Sequence, residues 1–186
     1  MNDLYLVNYR LSTIEPLKSI MRLSKEEAFE LSDKLYKENP YDGYEQRFGP
    51  NFEKYYNHRL KTEKWLYEEF TKIGGKPQEK HPLYFFVHNW DVAEKAWEGK
   101  AIKVVEKIKL NEIDVCDVSF LFGDSMAMLD NPNKGSLFLK DKLSELLAEN
   151  ENNIEMLLDS VNQRTGQRII EAHIWNDKYF EASRAE

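Results

Sequence analysis

A strand-like segment near the end of the chain places three chemically useful side chains in one row. Residues 169–177 alternate polar and apolar types, and successive side chains of a β-strand point to opposite faces. Glu171, His173 and Trp175 therefore share one face, and the aliphatic residues between them share the other. Two interpretations stay open: a solvated outer face, or a carboxylate held rigidly in a cleft, where it could hydrogen-bond sugar hydroxyls or stabilise developing positive charge.

A Gly-Asp-Ser turn forms the second candidate site. It follows directly on residues 118–122, an apolar run with two alternating phenylalanines that is typical of a strand. Asp124 and Ser125 offer a carboxylate, a hydroxyl and backbone N–H groups at one strand end, where ligand-binding loops are often found. The alternative is an ordinary tight turn in which both side chains hydrogen-bond local backbone groups.

Strong motifs for catalysis or metal binding are missing from the sequence. No Walker, GxGxxG, GxSxG, HExxH or CxxC pattern occurs. The histidines lie at scattered positions: His58, His81, His88 and His173. We therefore predict no metal site. A hydrolase built on Asp124, Ser125 and a histidine stays open as a minor alternative, because only the fold could pair a nucleophile with a base.

The elements that must position these side chains can be read from the spacing of apolar residues. Helical spacing with capping or stop signals covers residues 24–39, 51–73 and 136–160. Strand-forming runs cover residues 4–11, 81–88, 101–110, 115–122 and 168–175. Helices are thus concentrated in the first half and before the last strand. We predict one α+β domain over residues 1–186, with a mixed or antiparallel sheet.

Composition narrows the classes of function. The 186 residues are 41% apolar and 13% aromatic, which fits a single domain with its own core. No apolar run approaches the roughly 20 residues of a membrane-spanning helix, and Asp3 stands where a signal peptide would carry positive charge. The single cysteine, Cys116, favours the reducing cytoplasm. The net charge of −7 argues against general binding to nucleic acids.

Charge is distributed unevenly along the chain. The long middle helix carries a basic polar face, for which a solvated surface and an anion-binding surface are both open: Lys54, Arg59, Lys61, Lys64 and Lys72. The later helical segment, residues 141–159, carries an acidic series instead: Glu145, Glu149, Glu151, Glu155 and Asp159. This series could contact a basic partner protein or only keep the chain in solution.

Four short segments resemble the ADP-ribosyltransferase-like superfamily. Residues 9–13 (YRLST) end a first strand before a helix, as in those proteins, and residues 81–86 (HPLYFF) look like their aromatic core strand. Residues 122–127 (FGDSMA) are similar to a TDGNA-like stretch of the DNA-targeting members. Residues 170–175 (IEAHIW) look like the closing strand that carries the catalytic glutamate. The chain also resembles uncharacterised bacterial domains, a likeness that assigns no activity.

The resemblance implies NAD as the cofactor and gives roles to individual residues. Glu171 would be catalytic and stabilise the oxocarbenium-like state formed as the bond to nicotinamide breaks. Arg10 would bind a phosphate or carboxamide, Ser12 would position the ribose, and Tyr84 would stack on nicotinamide. Further residues are assigned to cofactor binding, Ser119 and Phe120, or to the cleft, Asp124, Ser125, His173 and Trp175.

The resemblance also limits the acceptor of the transferred group. Ile169 stands two residues before Glu171, where members that modify arginine carry a second glutamate. This difference implies a nucleic-acid or small-molecule acceptor, or a fold kept without activity.

A non-enzymatic function is the competing interpretation. Nothing in the composition or the motifs demands catalysis, and the acidic residues of segment 141–159 offer a surface for a partner. The chain would then be a small interaction, immunity or phage accessory protein. Incubation with NAD separates the two classes, because only the first predicts release of nicotinamide.

Overall fold

The structure is a computed structural model, and it describes residues 4–11, 17–38, 47–89, 103–131 and 135–180. The strands are β1 (Tyr5–Leu11), β2 (Leu83–Val87), β3 (Lys103–Lys109), β4 (Val118–Phe122) and β5 (Ile170–Ile174). The α-helices are α1 (Lys25–Glu38), α2 (Phe52–Lys72), α3 (Ser125–Met128), α4 (Lys140–Glu149) and α5 (Ile154–Thr165). Short 3₁₀ turns occupy Ile20–Arg22, Gly49–Asn51, Leu110–Glu112, Val115–Asp117 and Asp177–Phe180.

The strands form one five-stranded sheet in the order β3-β1-β2-β5-β4. Every pairing is antiparallel. Helices α1 and α2 precede β2 in the chain, and α4 and α5 precede β5. The predicted α+β fold is therefore confirmed, with an antiparallel sheet.

Strand β5 is paired on both sides, and its register fixes which side chains share a face. Glu171 lies opposite Phe86 of β2 and Leu121 of β4. His173 lies opposite Tyr84 of β2 and Ser119 of β4 in the same way. Directly opposed residues of antiparallel strands point to the same side. The alternate residues of all three strands point to the other side.

The first face of the sheet, which we call the apolar face, carries the largest hydrophobic cluster. Ala172 and Ile174 of β5 are fully buried there beneath helices α4 and α5. The helices contribute inward-facing leucines and a valine at helical spacing: Leu143, Leu147, Leu157, Leu158 and Val161. Phe180 completes this cluster and stacks on Phe85 of β2 at 5.7 Å between ring centroids.

The second face of the sheet, which we call the polar face, is covered by helix α2. Leu66 and Phe70 of α2 pack on Trp175, whose ring is stacked on that of Phe70 at 5.2 Å. The helix ends where Gly74 takes a φ of +98°, a value that favours glycine. At Gly75 a Cβ atom would lie 2.3 Å from the ring of Phe70, so only glycine allows this close turn back toward the sheet.

Helix α1 packs on the first turns of α2 in a separate small cluster. Phe29 contacts the rings of Phe52 and Tyr56 edge-on at 5.0 and 5.6 Å. The buried hydroxyl of Ser32 accepts a hydrogen bond from the backbone N–H of Gly49, which orients the start of α2. This cluster fixes α2 at one end and Trp175 fixes it at the other.

Two sequence-based boundaries differ from the structure. The strand expected over residues 115–122 begins only at Val118, because Val115–Asp117 forms a 3₁₀ turn whose buried Asp117 accepts a hydrogen bond from the Tyr179 hydroxyl. The helices expected within residues 136–160 begin only at Lys140 and Ile154. They are separated by a turn in which Glu151 and Asn152 both have positive φ.

Candidate functional site

Glu171 lies at the centre of a buried polar cluster on the polar face. Only 3% of the residue is exposed. Its Oε2 atom accepts a hydrogen bond from the backbone N–H of Ser125 at 2.8 Å and lies 3.1 Å from Nε2 of His173. Burial alone would raise the pKa of Glu171, but the hydrogen bonds from His173 and Ser125 and the charge of Arg59 outweigh it and lower that pKa. The carboxylate is therefore held in its charged form.

A chain of hydrogen bonds continues from Glu171 across the sheet. The indole N–H of Trp175 donates to Oγ of Ser119 at 3.0 Å, and that oxygen lies 3.2 Å from Nδ1 of His173. If the Ser119 hydroxyl donates to Nδ1, the Nε2 proton of His173 is directed to Glu171. All four side chains are buried. These hydrogen bonds run from serine to histidine to glutamate. Ser119, however, is enclosed beneath α2 and out of reach of a substrate carbonyl.

Helix α2 supplies a cation that lies on an aromatic ring next to this cluster. The guanidinium carbon of Arg59 is 3.5 Å from the ring centroid of Tyr84, and Tyr84 meets His173 edge-on at 5.2 Å. Arg59 also pairs with Glu63 at 2.7 Å, and Glu63 contacts Nδ1 of His81 at 2.5 Å. Burial is the largest influence on Glu63 and would raise its pKa, but Arg59 and His81 lower it below the ordinary value. The Arg59 guanidinium, the Tyr84 ring and the carboxylates of Glu63 and Glu171 therefore form one connected group.

The Gly-Asp-Ser turn is anchored beside Glu171. Gly123 has a φ of +84°, and a Cβ there would meet Gln167 Oε1 at 2.8 Å. The carboxylate of Asp124 caps α3 through the Ala127 N–H at 3.0 Å, while its own N–H donates to Gln167. Burial, followed by the charge of Glu171, raises the pKa of Asp124. Asp124 therefore makes the local backbone bond that an ordinary turn predicts, but Ser125 does not.

Two hydroxyl groups in this cluster have unused hydrogen-bonding capacity. Among the described residues, the buried Tyr84 hydroxyl and the buried Ser125 Oγ find no hydrogen-bond partner. Buried polar groups without partners are uncommon in folded proteins and are costly. Both groups belong to the same polar cluster as Glu171, since Ser125 is bonded to it and Tyr84 is packed on His173. The cluster therefore offers unused donors and acceptors to a small polar molecule.

The structure brings most, but not all, of the sequence-predicted residues together. The cluster gathers Tyr84, Ser119, Asp124, Ser125, Glu171, His173 and Trp175. Phe120 lies on the apolar face, where it packs against Phe138. Arg10 also lies on that face, because it is four residues along from Leu6 on β1, and it pairs with Glu106 of β3 at 2.9 Å. Ser12 lies outside the described residues.

The structure bears on the open interpretations of both polar surfaces and decides the first of them. The interpretation of Glu171, His173 and Trp175 as a solvated outer face is wrong, because α2 covers them. On α2 the four lysines are exposed, as a solvated face predicts, but Arg59 turns inward and is only 14% exposed at its side chain. Sequence reasoning missed Arg59 and Glu63 as site residues. Their spacing gave a signal, since 56, 59, 63, 66 and 70 form one helical stripe.

Other features of the described residues lie away from this cluster. A cavity of about 290 Å³ opens on the apolar face near β3, lined in part by Leu17, Phe85, Glu106, Ile108 and Phe180.

Within the described ranges, no three His, Cys, Asp or Glu side chains are grouped to hold a metal ion. None of the helices described is long and apolar enough to cross a membrane.

Comparison with known proteins finds no relative of this chain. The chain matches no protein-family profile, no curated protein and no solved structure.

Proposed function

We propose that the polar cluster around Glu171 binds NAD and cleaves its bond to nicotinamide, as the resemblance to ADP-ribosyltransferase-like proteins implies. The observation that carries the proposal is the convergence of a charged carboxylate, a cation and an aromatic ring on one sheet face, beside two hydroxyls without partners. These are the group types that such a reaction needs.

The proposed roles follow from the contacts. Glu171 stabilises the positive charge that develops on the ribose as the glycosidic bond breaks and its electron pair leaves with the nicotinamide nitrogen. Neutral nicotinamide departs, and water or an acceptor nucleophile takes its place on the ribose. Tyr84 offers the ring for stacking, and the Ser125 hydroxyl offers a hydrogen bond. Arg59 takes the cationic role first assigned to Arg10, which lies on the opposite face.

We expect a substrate to approach the cluster past Arg59 and His81. Their side chains are each 14% exposed, whereas that of Glu171 is 5% exposed. A substrate that takes this route to Glu171 has to pass the Arg59 guanidinium, which lies over Tyr84 and is in place to contact it. Binding and release of NAD are expected to be slow relative to a preformed open cleft.

The experiment is incubation of the pure protein with millimolar NAD, with nicotinamide release measured by chromatography and ligand binding by thermal shift. Glu171→Gln should abolish release while the melting temperature stays within a few degrees, since the amide oxygen can still accept from Ser125. Glu68→Gln is the matched control, because Glu68 is an exposed glutamate on α2. Equal release from the wild type and Glu171→Gln would contradict the catalytic role.

A second candidate function is that of a non-enzymatic interaction, immunity or phage accessory protein. It is favoured by the exposed acidic residues of α4 and α5 and by Met156 of α5, an apolar side chain that is 42% exposed. Glu149 and Glu151 form no ion pair with another described residue, whereas Glu155 and Asp159 both pair with Arg168. A partner would be a basic protein surface.

The two candidates give different results in the NAD experiment. If millimolar NAD gives neither nicotinamide release nor a thermal shift, the result favours the interaction protein. In that case, binding of a lysine-rich peptide should weaken with added salt and with Glu149→Gln and Glu151→Gln together. Both candidates place the protein in the cytoplasm, where the free thiol of Cys116 would stay reduced.

A further inference from the structure

Glu63 uses both of its carboxylate oxygens to join α2 to the segment before β2. Oε1 accepts from Nε of Arg59 at 2.7 Å, and Oε2 lies 2.5 Å from Nδ1 of His81. The residue is 1% exposed, so both contacts are made away from water. Charge-assisted hydrogen bonds of this kind are stronger and more directional than neutral ones.

The contact with Glu63 decides where the Arg59 guanidinium lies. An arginine side chain has many rotamers, and a free one on a helix surface would extend into water. Here the Nε edge of the guanidinium is fixed by Glu63, while its central carbon lies 3.5 Å from the centroid of the Tyr84 ring. Other groups around it are Tyr55 on the same helix and Glu171 on β5, and neither makes a hydrogen bond to Arg59 in the described contacts.

We infer that Glu63 is a positioning residue that holds Arg59 on the ring of Tyr84, ready to meet an anionic or carbonyl group of the ligand. This inference rests on the proposed function, in which Arg59 contacts NAD. Glu63 itself touches no ligand. Its loss should therefore weaken NAD binding and raise KM by roughly tenfold or more, the effect of a lost charge-assisted hydrogen bond. The turnover number, which depends on Glu171, should change much less.

The test is the NMR signal of the Arg59 Nε–H group, observed without ligand and assigned with Arg59→Lys. In the wild type, this signal should be displaced from the position of a free arginine by the Glu63 hydrogen bond and the Tyr84 ring, and it should exchange slowly with water. Glu63→Gln should move it toward the position of a free arginine and speed its exchange. Glu68→Gln, on the same helix but exposed, should leave it unchanged. An unchanged Arg59 signal in Glu63→Gln would overturn the inference.

A wild-type measurement keeps the test decisive if Glu63→Gln does not fold. In an acid titration of the wild type, the Arg59 signal should shift as Glu63 takes up a proton, below the ordinary range of a glutamate. A signal that stays constant until global unfolding would also overturn the inference. If the wild type binds no NAD, the proposed function fails, but the Arg59 spectrum still decides whether Glu63 positions it.

Discussion

The two faces of β5 are buried to the same degree by different chemistry. On the apolar face, Ala172 and Ile174 pack beneath α4 and α5 with apolar side chains alone. On the polar face, His173 and Trp175 are equally inaccessible beneath α2, but they are joined by hydrogen bonds. An alternating strand is therefore not necessarily half solvated. A second layer that brings its own charges can bury the polar side.

The comparison has consequences for how each face tolerates substitution. Aliphatic packing has no direction and accepts changes of similar volume with small losses. A hydrogen-bonded network loses more when one member is removed, because the remaining partner stays buried and unsatisfied. We therefore expect the polar face to be the more sensitive of the two.

The largest effect is expected at Trp175, which packs on Phe70 and donates to Ser119. Trp175→Ala should lower the free energy of unfolding by about 3–5 kcal/mol. Ile174→Val, on the other face of the same strand, should cost only about 0.5–1.5 kcal/mol. Urea denaturation measures both. Similar losses of unfolding free energy at Trp175 and Ile174 would contradict the greater sensitivity of the polar face.

Glu171→Ala should have the next largest effect on stability. It leaves the Ser125 N–H and the His173 ring without their acceptor, at a cost of about 1–3 kcal/mol for a buried unsatisfied group. Glu171→Gln keeps an acceptor oxygen and should cost less. Thermal denaturation of the two variants compares them. Equal losses would show that hydrogen-bond satisfaction is not what Glu171 contributes.

Acid should destabilise the polar face through Glu63 and Glu171. Both have a pKa in the folded protein below the ordinary value, so they bind protons less readily than in the unfolded chain. Their contribution is present above the unfolded pKa and is lost as pH falls through the folded pKa. Each unit of lowering contributes about 1.4 kcal/mol. Asp124, whose pKa is raised, opposes this trend.

The measurement is the slope of unfolding free energy against pH on the acid side. Glu63→Gln should reduce that slope relative to the wild type. A slope equal to that of the wild type would show that Glu63 is not held charged by Arg59 and His81.

The smallest effect is expected at the exposed pair of Lys64 and Glu68 on α2. The two side chains are separated by 3.8 Å and are mostly exposed. Glu68→Gln should change the free energy of unfolding by at most about 0.5 kcal/mol, because water and salt screen such pairs. If Glu68→Gln lowered the free energy of unfolding as much as Glu171→Ala does, exposure would not explain the difference between the exposed Glu68 and the buried Glu171.

The sequence was sufficient for the main helices and strands and for which residues of β5 share a face. The alternation in residues 169–177 correctly placed Glu171, His173 and Trp175 together, and helical spacing correctly identified α2. These features depend on local periodicity, which a sequence shows directly. The α+β class followed from the order of the elements.

The covering of the polar face could not be read in the same way. Which layer lies over a strand is decided by tertiary packing, so the solvated interpretation of Glu171 was wrong and Arg59 was missed. The place of Arg10 depends on the order and register of strands that are far apart in the chain, and a shift of one residue would reverse its face. Long-range pairing of this kind has no local signal.

The most direct test of the proposed function is an NMR titration of the wild-type protein with NAD. Signals of the Ser125 amide, the Arg59 Nε–H group and the Tyr84 ring should shift together in a saturable way, and signals from α4 and α5 should not. Shifts confined to α4 and α5, or no shift at millimolar NAD, would contradict the account of Glu171 as the centre of an NAD site.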